Sequence, residues 1–161
     1  KSWVKTTGGR GLHVVVPLTP RRTIAACLDF SRAVAEAIEQ TNTSMYTTKF
    51  AKAGRERKIL IDYLRNNSTN TSVCAFSPRA RPAATVSMPL DWSDLRDAPE
   101  RWTVLTAPRR LERLTRDPWK QYWTSAQLIS DASFAAVTRV ERGRSATPRT
   151  RRRPSSSTDP R

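Results

Sequence analysis

The sequence has few of the residues that build disulfide frameworks or zinc sites. It contains two cysteines and one histidine in 161 residues. Cys27 and Cys74 lie far apart and show none of the paired spacing that zinc modules use, so the simplest interpretation is a reduced, cytoplasmic protein. Acidic residues are also scarce, with 14 Asp and Glu against 29 Lys and Arg. These counts argue against a disulfide scaffold and against a zinc finger.

Long apolar runs are missing as well. No stretch approaches the roughly 20 apolar residues that a membrane-spanning helix needs, and the first residues show no signal-peptide pattern. We therefore expect no membrane partner. The chain begins with Lys1 and reaches an apolar strand within a dozen residues, so we expect it to be part of a longer protein.

Positive charge is present in excess. The net charge is +15 at pH 7, and it is spread along the chain, which favours nucleic acid over a membrane surface as the partner. A basic protein without a polyanionic partner is the alternative. Residues 139–161 hold eight Arg, two acidic residues and almost no large apolar residue. They predict a disordered basic tail after a single domain spanning residues 1–138.

The hydrophobic pattern predicts an α/β fold. Apolar residues recur at helical spacing from about Thr23 to Gln40, and β-branched or apolar runs at 12–16 and 59–64 predict two buried strands. Weaker signals predict a strand near 45–48, extended segments at 73–76 and 84–88, short helices at 91–95 and 109–114, and an aromatic cluster of Trp119, Tyr122 and Trp123. We expect one mixed or antiparallel sheet carrying the strands of His13 and Asp62, with the long helix packed on it.

A glycine-rich segment before the first strand is the first candidate site. Residues 6–13 read TTGGRGLH. Glycines let backbone N–H groups converge on an anion, and the Thr7 hydroxyl and Arg10 add donors. The segment is neither a P-loop nor a Rossmann fingerprint, and an ordinary turn with a packed histidine is the alternative. Alternation places His13 and Val15 on one face of the strand and Leu12, Val14 and Val16 on the other.

The second candidate is Asp62, which lies in the apolar run at 59–64. A buried carboxylate is costly without a partner, so we expect Asp62 to form an ion pair with Lys58 or an arginine, to lie at a strand end, or to bind a cation.

Basic residues supply the third candidate. Arg79 and Arg81 share one side of an extended segment, and guanidinium groups suit phosphate oxygens, although solvated charge is the alternative. A basic loop around Gly54 is expected to contact a nucleic-acid backbone through Lys49, Lys52, Arg55, Arg57 and Lys58.

The order of these motifs resembles the polymerase domain of bacterial end-joining DNA ligases, in the archaeo-eukaryotic primase superfamily. The resemblance covers about Lys5 to Trp123 and includes PLDW at 89–92 and DPW at 117–119. It implies the C-terminal part of a primase-polymerase, RRM-like domain. It also implies template-dependent nucleotide addition at broken DNA ends in the bacterial nucleoid. The implied partners are primer-template DNA, a nucleoside triphosphate (NTP or dNTP), a Ku-type end-binding protein and a fused ligase domain.

The resemblance also implies roles for individual residues. The triphosphate would contact Thr7, Gly8, Gly9, Arg10, His13 and Arg79, and DNA would contact Arg81 and the basic loop. Asp62 would be the last of three carboxylates that hold Mn²⁺ or Mg²⁺, so the catalytic set would be Asp62, His13 and Arg79.

The chain departs from the family pattern in two places. First, Thr7 stands where the family usually has serine, an exchange that keeps the hydroxyl. Second, residues 1–12 lack the acid-x-acid motif that carries the other two carboxylates. We therefore expect this chain alone to be inactive. A non-catalytic basic nucleic-acid-binding module and a degenerate gene fragment are the other interpretations.

Overall fold

The computed structural model describes residues 1–20, 22–96 and 99–145. Tertiary contacts divide them into two compact units. The first contains residues 1–31 and 63–130, and the second contains residues 32–62 together with the described residues from 131 onward. This division differs from the single unit over 1–138 that the sequence suggests.

Five short strands and three α-helices make up the regular structure of the described residues. The strands are β1 (Trp3–Thr6), β2 (Leu12–Val15), β3 (Tyr46–Thr47), β4 (Ile59–Leu60) and β5 (Pro89–Leu90). The helices are α1 (Ile24–Thr41), α2 (Ala107–Arg113) and α3 (Asp131–Ser145), with 3-10 turns at Leu64–Asn66, Trp92–Arg96 and Pro99–Arg101. No helix among these residues is long and apolar enough to cross a membrane.

The first unit is built on an antiparallel sheet in the order β2-β1-β5. β1 lies in the centre and all four of its residues are buried, with Val4 and Thr6 fully inaccessible. β2 is an edge strand. The predicted alternation of its faces is confirmed, but the prediction of a buried strand is wrong: Val14 is 61% exposed, while His13 and Val15 are half-buried. The core packs against β1, a strand that the sequence pattern did not predict. It does not cover the apolar face of β2.

The core of the first unit gathers residues from β1, from the segment at 86–90 and from the start of α2. Its buried apolar members are Val4, Val86, Met88, Leu90, Trp102 and Ala107. The extended segment predicted at 84–88 runs beside this core, where the Val86 amide donates to the Trp102 carbonyl at 2.7 Å. α2 begins two residues before the predicted start, because Pro108 is favourable in the first turn of a helix.

The predicted aromatic cluster is confirmed. Trp119 and Tyr122 stack with their ring centroids 4.9 Å apart, and Tyr122 makes edge contacts with Trp123 at 4.9 Å and with Trp3 at 5.6 Å. The ring nitrogen of Trp119 also donates to the Val4 carbonyl at 3.0 Å. The cluster therefore fastens the segment at 119–123 to β1.

The predicted long helix is confirmed as α1, which begins in the first unit and ends in the second. Thr23 caps it: its hydroxyl accepts a hydrogen bond from the Ala26 amide at 3.1 Å. In the second unit, β3 and β4 form a two-stranded parallel sheet. The short strand predicted near 45–48 is confirmed there.

Two predictions about the second half of the fold need correction. The strand predicted over 59–64 pairs only through Ile59–Leu60, because Tyr63 adopts helical angles (φ −97°, ψ −14°) and starts a 3-10 turn. The strands of His13 and Asp62 therefore do not share one sheet in the described chain. The tail predicted from residue 139 begins inside α3, which continues to Ser145. Residues 146–161 lie outside the described residues.

Candidate functional site

Lys5 is a buried lysine in the central strand of the first unit, with only 6% of its surface exposed. Its ammonium lies within hydrogen-bond distance of three acceptors, the Val73 carbonyl at 2.7 Å, Ser87 Oγ at 3.0 Å and His13 Nδ1 at 3.0 Å. An ammonium group has three protons and no lone pair, so three acceptors match it fully. Burial lowers the pKa of Lys5 below its usual 10.5; Cys74 opposes this shift, and the nearby positive charge of Arg79 adds to it.

His13 is the cross-strand partner of Lys5 in the β1–β2 register. Because a protonated Lys5 can only donate, Nδ1 of His13 must accept. The imidazole is then neutral and carries its proton on Nε2. β2 therefore holds His13 as an Nε2–H donor.

The glycine-rich segment forms a tight turn between β1 and β2. The Thr7 amide and the Thr7 hydroxyl both donate to the Gly11 carbonyl, at 3.0 and 3.1 Å, and the Gly9 amide donates to the Thr7 hydroxyl at 3.2 Å. Gly8 has a φ of +65°, a conformation that L-residues adopt at a cost. Thr7 therefore closes the turn as well as presenting its hydroxyl there.

Arg79 lies directly against this turn. A Cβ added at Gly8 would stand 2.5 Å from Cγ of Arg79 and 3.4 Å from the Ser87 amide nitrogen. Arg79 Nη1 also donates to the Thr7 carbonyl at 3.3 Å. Glycine is thus required at position 8 for two reasons, its positive φ and the close approach of the arginine.

Arg81 approaches the next position of the same turn. Its Nη1 and Nη2 atoms would lie 3.3 and 3.4 Å from a Cβ at Gly9. The loop that carries both arginines is held in place from the other side, since the Arg79 amide donates to the Thr85 carbonyl at 2.7 Å and the Thr85 hydroxyl donates to the Gly8 carbonyl at 2.5 Å. Two guanidinium groups therefore converge on a glycine turn that lies beside a lysine–histidine pair.

Comparison with known proteins decides what kind of domain this is. The family profile described as the LigD primase-polymerase domain matches residues 1–119. The chain belongs to this family. The multifunctional non-homologous end joining protein LigD of Pseudomonas aeruginosa is 33% identical over 135 residues, which are 82% of this chain and 16% of that protein. The bifunctional LigD of Bacillus subtilis is 27% identical over 115 residues, 70% of this chain and 19% of that protein.

A solved structure agrees with the sequence relatives. The polymerase domain of Mycobacterium tuberculosis ligase D, in complex with DNA, superposes with a TM-score of 0.64 at 26% identity, covering 70% of this chain and 39% of that one. The α/β fold with its antiparallel sheet is therefore that of part of a LigD primase-polymerase domain. The chain spans less than a fifth of the length of the two relatives named above.

The structure of this LigD-family chain brings together only some of the predicted site residues. Thr7, Gly8, Gly9, Arg79 and Arg81 meet at the turn, and Lys5 and Ser87 connect the turn to His13. Arg10 follows on the same turn and is exposed. Most of the candidate nucleotide-binding residues thus belong to one cluster in the first unit.

Asp62 and the basic loop belong to the second unit. Asp62 is exposed and lies two residues after β4, so of its expected settings the structure confirms a position at the end of a strand. Around Gly54, the residues Lys49, Lys52 and Arg57 are exposed and Arg55 is half-buried, while the Lys58 ammonium donates to the Thr43 carbonyl at 2.8 Å. That Asp62 joins the glycine turn in one site stays a prediction.

The described residues do not assemble a metal centre. Among them, no three His, Cys, Asp or Glu side chains gather as metal ligands would. Asp62 is a single exposed carboxylate, and a divalent cation such as Mg²⁺ or Mn²⁺ needs more oxygen ligands than one side chain supplies. The residues described in this LigD-family chain therefore do not fit the predicted metal by themselves.

Sequence reasoning missed Lys5 and Ser87. The signal for Lys5 is the sequence WVKT, a β-type run in which a lysine interrupts otherwise strand-forming residues. Nothing local marks Ser87, whose hydroxyl accepts from Lys5 and donates to the Thr6 carbonyl at 2.7 Å. Its role depends on contacts with residues about 80 positions earlier.

Proposed function

We propose that this chain supplies the triphosphate-binding part of an enzyme that transfers nucleotides to DNA ends during non-homologous end joining. The substrate would be an NTP or a dNTP. One observation supports the proposal above all others: Arg79 lies against the glycine turn that leads to His13, and its Nη1 donates to the Thr7 carbonyl at 3.3 Å. Membership of the LigD primase-polymerase family agrees with it.

The chemistry of the cluster suits a triphosphate. A guanidinium has five N–H donors, and the bond from Arg79 to the Thr7 carbonyl uses one of them. Charge-assisted hydrogen bonds to phosphate oxygens are stronger than neutral ones, and glycine lets a phosphate approach the backbone closely. His13 follows the turn on β2, next to these donors. The proposed binding residues are Thr7, Gly8, Gly9, Arg10, His13 and Arg79.

The wider activity is a proposal about a longer protein. Mn²⁺ or Mg²⁺ would neutralise the triphosphate there, and Asp62 is the one carboxylate that this chain is proposed to contribute. The step that its own described residues support is binding and orienting the phosphates.

DNA is the second proposed partner. The structural relative is a polymerase domain in complex with DNA, and the exposed basic loop and Arg81 carry the charge that a phosphate backbone attracts. For the whole protein we propose primer-template DNA at broken ends, a Ku-type end-binding protein, a fused ligase domain and a place at the bacterial nucleoid.

The test is a titration of the complete chain with a fluorescent dATP analogue. Removing a charged hydrogen-bond donor costs about 1.5–3 kcal/mol, so Arg79→Ala should raise Kd at least about tenfold. Arg96 is an exposed arginine of the same unit, at the end of the 3-10 turn Trp92–Arg96, and Arg96→Ala is the matched control. Equal affinity in the two variants would contradict the assignment of Arg79. DNA binding without any nucleotide binding would favour the non-catalytic basic module instead.

A further inference from the structure

The first unit contains a basic cavity away from the residues of the glycine turn. It is open to solvent and has a volume of about 440 Å³, and its lining residues are Arg101, Trp102, Thr106, Arg109, Arg110, Arg113 and Leu114. Four of these seven residues are arginines, and none is acidic. A cavity with this lining favours an anion over a neutral or cationic ligand.

Trp102 organises the cavity. It is only 6% exposed, and the guanidinium carbons of Arg101 and Arg110 lie 4.8 and 4.7 Å from its ring centroid. Such cation–π contacts hold guanidinium groups in place. Because the indole is buried, its ring is not a platform on which a nucleobase could stack. The ligand chemistry that remains is that of an oxyanion.

Two buried donors of the cavity lack an acceptor. Trp102 Nε1 and Arg110 Nε are both inaccessible and have no hydrogen-bond partner within the described chain. Arg110 Nη2 does pair with Asp94 Oδ2 at 2.5 Å, so that carboxylate offsets part of one arginine's charge. Buried donors are seldom left unsatisfied in folded proteins. The wall of this cavity therefore carries unpaired donors beneath its arginines, and none of its lining residues is a carboxylate.

Hydrogen bonds connect the backbone beside the cavity to the glycine turn. The Trp102 carbonyl accepts from the Val86 amide at 2.7 Å, and Thr103 forms an antiparallel bridge with Thr85. Thr85 is the residue whose hydroxyl holds the Gly8 carbonyl. Hydrogen bonds within the first unit therefore connect the two basic sites.

We propose that this cavity is a separate phosphate-binding site, with Arg109 and Arg113 as its accessible donors. The two residues are four positions apart on α2, so they lie on one face of the helix, and both are exposed. The phosphate belongs either to a polynucleotide strand or to a free anion such as pyrophosphate. None of the lining residues contributes to the triphosphate cluster at the glycine turn.

The test uses the complete chain and two probes, sodium pyrophosphate and a short single-stranded oligonucleotide. The variant is Arg109→Ala/Arg113→Ala. Its matched control is Arg96→Ala/Lys120→Ala, which removes two exposed positive charges from the same unit. Circular dichroism of both variants checks that they fold.

We expect the cavity variant to bind at least one probe about tenfold more weakly than the control. For the oligonucleotide, losing two phosphate contacts should reduce the slope of log K against log salt by about 1.4. An effect on the oligonucleotide alone identifies a strand phosphate, and an effect on pyrophosphate alone identifies a free anion. Affinities equal to those of the control for both probes would overturn the proposal, whatever the outcome of the Arg79 titration.

Discussion

Lys5 Nζ lies 3.0 Å from His13 Nδ1, across the register of two antiparallel strands. The contact joins the only histidine of the chain to a lysine that burial has removed from water. Lys5 thereby determines which nitrogen of His13 carries the proton. A residue that need not touch a nucleotide itself thus sets the hydrogen-bonding character of one proposed to do so.

The tautomer of His13 can be observed directly. Since the chain has one histidine, a long-range ¹H–¹⁵N spectrum contains a single imidazole, and we expect it to show a neutral ring protonated on Nε2 at neutral pH. The Ser72 hydroxyl also lies 3.3 Å from Nδ1, so the double variant Lys5→Met/Ser72→Ala removes both donors and should yield a mixture of tautomers. Lys120→Met, at an exposed lysine, is the control and should leave the spectrum unchanged. A proton on Nδ1 in the unmodified chain would refute the proposed contact.

The buried ammonium of Lys5 should make stability depend on pH in the alkaline range. Its pKa is lowered in the folded chain, mainly by burial, whereas the unfolded chain keeps a value near 10.5. Between these two values the unfolded state binds more protons, so the free energy of unfolding should rise with pH across that window. Below the window the full cost of burying the charge is present.

Urea unfolding from neutral pH to 10.5 measures this dependence. Lys5→Met should lack the rise. If both proteins show the same rise, its source is another group.

Gly8 should tolerate no side chain. Gly8→Ala would combine a positive φ of 65° with a contact of 2.5 Å to Arg79 Cγ, so we expect a loss of stability above the 1–2 kcal/mol or so of left-handed strain and weaker nucleotide binding. Gly54 is the matched control, because its φ is +77° and a Cβ there would meet nothing within 4 Å. Gly54→Ala should cost the strain alone and leave nucleotide affinity unchanged. Equal effects of the two changes on affinity would argue against the close approach of Arg79.

In a longer LigD-type enzyme that contains this domain, replacing Asp62 should affect nucleotide addition but not DNA binding. Because the carboxylate is exposed, Asp62→Ala should change stability by no more than about 0.5 kcal/mol. Nucleotide addition to a primer should nevertheless be abolished, while DNA affinity stays within about twofold. Primer extension and a DNA-binding titration on the same protein distinguish the two properties. Loss of both together would assign Asp62 a structural role.

Local patterns in the sequence were enough for several elements. The helix α1 follows from apolar residues at helical spacing and a threonine cap, and the turn at 7–11 follows from glycines that permit positive φ. The strand predicted over 59–64 is longer than the observed one, because an apolar run does not show how many of its residues have a pairing partner. Only Ile59 and Leu60 pair with β3, and this ends the strand before Asp62.

By itself, the sequence determined the order of the motifs, the excess of positive charge and the conformational freedom of the glycine turn, because these are properties of residue types and their spacing. The tertiary structure decided which side chains meet. Lys5 finds its acceptors at Val73 and Ser87, 68 and 82 positions later, and Arg79 reaches the Thr7 carbonyl across 72 positions. A buried charge needs partners in three dimensions, and strand pairing brought them to β1.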